Sequence, residues 1–169
     1  MSNPAIPRDE VHTLAEACAE GADGFRNTAQ RLLKGQKRLT NFMQKNMVHL
    51  EPETREVVLY MYAVSLRIFE QKGGRMKKVS GSEINEISSR VNQALATLTP
   101  FDKGFPERVR SQDWRAQPHL LDECLWALFE KAEKEEGEVD VPADQAGLMF
   151  LLLWVSVESL DANWSAPTA

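Results

Sequence analysis

The sequence predicts an all-α protein, a single-domain bundle of five or six helices with two nearly all-apolar central ones at residues 57–69 and 147–160. Three observations carry this. Apolar side chains recur at steps of three and four through most of the chain, which is helical spacing. Strand signals, meaning period-two runs of β-branched residues, are nearly absent. Two stretches are apolar on almost every face, as helices at the centre of a bundle are.

The first helical pattern begins at Val11. Its stripe runs Val11, Ala15, Cys18, Ala22, Phe25 and Ala29, then on through Leu32, Gln36, Leu39, Met43, Asn46 and Leu50 without a slip of register. Either one helix spans about 9–50, or two helices meet near Asp23, which can cap the second. Gly21 and Gly24 favour the break, because a glycine inside a helix costs about 1 kcal/mol. Leu14, Leu33, Phe42 and Met47 widen the stripe beyond a coiled-coil seam, so the face suits a globular core.

Glu51-Pro52-Glu53 opens the next helix with proline and acids in its first turn. Its body, 57–69, is the first central helix, and Gly73-Gly74 ends it. Ser80-Gly-Ser-Glu83 matches a capping box, in which Ser and Glu side chains each satisfy the other's backbone N–H. Ile84, Ile87, Val91, Leu95 and Leu98 follow at helical spacing until Pro100.

Residues 101–118 read as one long irregular stretch, a length that is often functional or packed down by its own side chains. Phe101, Phe105 and Trp114 can supply that packing. A further helix is expected from about His119 to Glu136 and a link at 137–141. The second central helix then opens at Pro142. Residues 1–8 and 165–169 read as flexible tails of the single domain 1–169.

Composition sets bounds on function. The 169 residues are 43% hydrophobic and 27% charged with a net charge of −5, an ordinary globular balance. Cys18 and Cys124 are far apart and on apolar stripes, so they read as buried reduced thiols. The N-terminus lacks a basic start followed by an apolar run, and both apolar stretches fall short of the roughly 20 residues of a spanning helix. A cytoplasmic location is the expectation.

Catalytic and metal patterns are weak. A di-iron bundle needs Glu-x-x-His on two helices, and none occurs. His119, Glu123 and Cys124 are the best remnant of a ligand set, yet zinc wants three or four convergent ligands. No Gly-x-Ser-x-Gly elbow is present. The Gly73-Gly74 turn lacks phosphate-loop spacing. No catalytic residue, metal or cofactor is therefore expected.

Charge distribution is the informative feature. Residues 25–50 contain six basic side chains and no acid, and residues 25–80 carry a net charge of +8. Residues 122–144 hold nine acids against Lys131 and Lys134. In the helical register Arg31, Lys34, Lys37, Arg38 and Lys45 all face away from the apolar stripe. They form a basic ridge suited to an anionic partner, or a solvated face. Arg108, Arg110, Trp114 and Arg115 form a second candidate surface, because arginine and tryptophan are enriched at binding hot spots.

The sequence favours a non-enzymatic protein that binds another protein, an acidic one among the candidates, as an adaptor, inhibitor or complex subunit, with self-association as a variant. A nucleic-acid partner for 25–50 is the alternative. The acidic overall charge and the lack of interleaved aromatics for base stacking weigh against it. A small-molecule or metal-dependent enzyme without a recognisable motif is the weakest reading.

Overall fold

The computed structural model describes residues 2–131 and 141–168. Its fold is all-α, with eight α-helices and one two-stranded ribbon among the described residues. The helices are α1 (Arg8–Glu20), α2 (Ala22–Gly35), α3 (Lys37–Asn46), α4 (Pro52–Lys72), α5 (Gly81–Leu98), α6 (Phe105–Arg110), α7 (Pro118–Leu125) and α8 (Ala143–Ala162). A single π-helical segment, Trp126–Glu130, extends α7.

The long N-terminal pattern resolves into three helices. The expected break near Asp23 falls at Gly21; the Asp23 side chain lies outside the described part of the chain. A second break at Gln36 is not foreshadowed by the stripe, which runs through it in register. Its cause is tertiary. The buried Gln36 side chain donates from Nε2 to Lys77 O at 2.9 Å and accepts at Oε1 from Val79 N–H at 3.0 Å. This bracing of a distant loop holds the Gln36 backbone at φ −123°, ψ 60°, outside the helical region.

Helix α8 is the centre of the molecule. Thirteen of its 20 residues are buried, among them Phe150, Trp154, Val157 and Leu160. By length and composition it would reach across a bilayer, longer than the apolar stretch read from the sequence. Within the fold, 67% of its most apolar window is covered by protein. Helix α4 is the second central element, buried almost all round between Tyr62 and Phe69. It packs on α8, while α5 covers another side of α8, α2 lies on α4 and α1 lies on α7. The buried side chains form one continuous apolar core.

The capping box is present as expected. Ser80 Oγ accepts from Glu83 N–H and the Glu83 carboxylate accepts from Ser80 N–H. Residues 101–118 are not irregular throughout, since α6 lies within them. They are packed down by their own aromatics. Phe105 is fully buried with Phe101 and Phe150 edge-on to it, and Trp114 stacks on Trp154 at 4.5 Å between ring centres. Gly147 makes this possible, because a Cβ there would lie 2.3 Å from the Phe101 ring.

The ends read as tails are tied together instead. Asn3 Nδ2 donates to Trp164 O at 2.7 Å, and Ile6 N–H donates to the buried Gln117 Oε1 at 2.9 Å. Strands β1 (Arg75–Met76) and β2 (Trp164–Ser165) pair antiparallel, with Met76 opposite Trp164. Short polar segments are weak guides in a sequence, but here the Gln117 side chain satisfies the buried Ile6 N–H of the N-terminal arm. Met1 and Ala169 lie outside the described residues. So do residues 132–140, which include the expected end of the 119–136 helix, most of the link after it and much of the acidic stretch.

Candidate interaction surface

Arg31, Lys34, Lys37, Arg38 and Lys45 are all exposed, as the register requires. They do not make one ridge. The break at Gln36 divides them between α2 and α3, and Arg31 reaches across to α4. There its guanidinium makes a two-pronged ion pair with Glu70, at 2.7 and 2.9 Å. Arg67 holds the same carboxylate, and the Arg31 contact above all keeps the Glu70 carboxyl below the usual carboxylate range. Lys34, Lys37, Arg38 and Lys45 have no ion-pair partner among the described residues, and neither does Arg26.

A trough lies beside this cationic surface. Where α2 crosses α4 and α1, a cavity of about 760 Å³ opens between Phe25, Ala29 and Leu33 on one wall and Leu59, Tyr60 and Ala63 on the other, with Cys18 at its base. Alanines at 29 and 63 leave the space. Phe25 and Tyr60 meet edge-on at 5.7 Å, and Tyr60 is 41% exposed. Arg26 flanks the trough from α2 and Glu56 from α4. A second hollow of about 270 Å³ continues from it, sharing Gln30 and Leu33 and bordered by Lys34 and Lys37. The sequence pattern contains the cations but not the trough, which exists only once α2 and α4 are side by side.

The second candidate surface is engaged within the molecule. Arg108 donates to the carbonyls of Leu98 and Pro100, at 2.8 and 2.5 Å, and pairs with Asp102 at 2.6 Å. Arg110 pairs with Glu107 and Glu130, and the Arg115 side chain, 9% exposed, pairs with Asp122 at 2.9 Å. Trp114 lies between Trp154 and the Arg90 guanidinium, which sits 5.4 Å from its ring centre. These side chains hold residues 100–118 in place.

The remnant ligand set is not assembled around His119. Glu123 turns instead to α1, where Arg8 reaches it at 2.8 Å and His12 Nδ1 at 2.7 Å. Glu16 takes the other ring nitrogen at 2.9 Å. His12 is thus bracketed by two carboxylates, and the Glu123 hydrogen bond above all raises its pKa over the ordinary 6.5. His12 and Glu123 are 111 positions apart in the chain, so no local spacing reveals the pair. Burial, aided by the neighbouring Glu123 charge, pushes the Cys124 thiol up to about 12, and burial raises Cys18 as well. Both thiols stay protonated at neutral pH, the wrong form for a nucleophile.

Among the described residues, no group of three or more His, Cys, Asp or Glu side chains is placed to hold a metal ion. Compared with protein-family models, curated proteins and solved structures, the chain matches none of them.

Proposed function

We propose that this protein acts by binding another protein, as an adaptor, inhibitor or complex subunit, and that the trough between α2 and α4 is where an acidic partner docks. The observation that carries this is the coincidence of two features at one place. An apolar trough with an exposed tyrosine lies against cations that have no partner in the described chain. Apolar floor with polar rim is how protein interfaces are built, and tyrosine and arginine are enriched at their centres. The unpartnered lysines favour acidic surfaces by steering encounter and rejecting basic ones. Buried, protonated Cys18 and Cys124 suit a reducing compartment, in line with a cytoplasmic site of action.

A photo-crosslinking residue at position 60 of the full chain tests this in cells. The reading expects a covalent adduct of discrete mass at position 60 that disappears in the Lys34→Glu/Lys37→Glu variant. The same probe at Leu148, which is 45% exposed on α8, should give no charge-dependent adduct. Adducts at position 60 that persist unchanged in the reversed-charge variant, or none at all, would reject it.

A further inference from the structure

The shape of the trough limits what kind of protein element fits it, on the assumption that the proposed docking reading holds. We infer that the occupant is a single amphipathic α-helix, with acidic residues along one flank spaced two turns apart. Its apolar face would lie between Phe25, Leu33 and Tyr60.

Three features argue for a helix. The trough follows the seam of two packed helices, and its α2 wall is formed by Phe25, Ala29 and Leu33, one residue per turn. Such a wall presents ridges and gaps at the period of a third helix. Its middle is wide because Ala29 and Ala63, on the two walls, carry only a methyl group, so a partner's larger side chains can enter. The combined hollow is room for several aliphatic side chains, as helix-in-groove recognition uses at positions i, i+3, i+4 and i+7.

The charges set the flank pattern. Arg26 and Lys34 are eight residues apart on α2, which is about 12 Å along its axis. Lys37 extends the row past the helix break. A helix lying along the seam would meet this row with acids at i and i+7 or i+8. The opposite wall carries Glu56, so acids on both flanks would be penalised there. The partner helix is therefore asymmetric, acidic towards α2 and neutral or basic towards α4.

The test is selection from a displayed library of helical peptides about 16 residues long, with a fixed apolar stripe and randomised flank charges, on the immobilised full chain. Selected peptides should carry acids on one flank, seven or eight positions apart. Their capture should vanish on Ala29→Arg, which fills the trough from its α2 wall, and fall about tenfold or more on Arg26→Glu/Lys34→Glu. Circular dichroism confirms that each variant keeps its helices, and both substitutions are at helix-compatible sites. Peptides that need Ala29 but carry neutral or basic flanks would overturn the acidic-helix inference while leaving the docking site intact. Capture that ignores Ala29→Arg would remove the site itself. Tight binding of an oligothymidylate probe through the same cations, unaffected by Ala29→Arg, would do so in favour of nucleic acid.

Discussion

Glu158 is the most consequential buried acid in the described chain. It sits on α8 at 6% exposure, with the Ala116 N–H donating to its two oxygens at 2.9 and 3.3 Å. Burial is the main cause that raises its pKa from 4.5 to about 7. Asp161 adds to the rise, and the Ala116 N–H, Arg90 and Arg115 oppose it. The folded chain therefore keeps this proton up to about pH 7, whereas the unfolded chain releases it near 4.5. Below 4.5 both states are protonated and Glu158 carries no ionisation cost. As pH rises from 4.5 to 7 the folded state loses ground, and above 7 the cost is complete. At about 1.4 kcal/mol per pH unit, the gap is worth up to about 3 kcal/mol. Glu158→Gln keeps the size and the carbonyl that Ala116 needs, and removes the charge. Urea unfolding of both proteins at intervals from pH 4.5 to 8 measures the effect. The variant should gain on the wild type steadily across that range, by up to about 3 kcal/mol at pH 8. A difference between the two proteins that stays flat from pH 4.5 to 8 would refute the buried-acid argument.

Four further outcomes follow from other contacts. Gln117→Leu strands the buried Ile6 N–H and releases Pro4 O and Asp161. It should cost about 1–3 kcal/mol and speed amide exchange at residue 6 before global unfolding. Ser80→Ala removes the capping box of α5 and should lower stability by about 1 kcal/mol in the same urea assay. Gly74 has φ +81°, and a Cβ there would lie 2.2 Å from Ser165 O. Gly74→Ala should therefore cost more than about 1 kcal/mol and shift the emission of Trp164 as the β1–β2 pairing opens. His12 should titrate above 6.5 by NMR. Its contribution is fully present below 6.5 and lost as pH rises through the folded value, so His12→Phe should weaken the α1–α7 contact at pH 6 more than at pH 9.

Local signals were the legible ones. Proline and acids at Pro52 and Glu53, the Ser80–Glu83 box and the all-round apolarity of 57–69 and 147–160 act within one or two turns, and each appears where the chain predicts it. The break at Gln36 is different in kind, because its cause is hydrogen bonding to Lys77 and Val79 some forty residues away. The same holds for the pairing of His12 with Glu123 and for the anchoring of the N-terminal arm by Gln117. At the candidate site, helical register correctly places Lys34 and Lys37 in solvent. It cannot show that Arg31 meets Glu70 on another helix, nor that small residues at 29 and 63 face each other across a trough.

A charge-swap experiment tests the docking account most directly. Affinities of an acidic amphipathic peptide, and of its mirror with lysines for acids, are measured by calorimetry against the wild-type chain and Lys34→Glu/Lys37→Glu. The account predicts that the wild type prefers the acidic peptide and that the reversed chain prefers the basic one. Equal preference in both chains, or binding by neither, would contradict it.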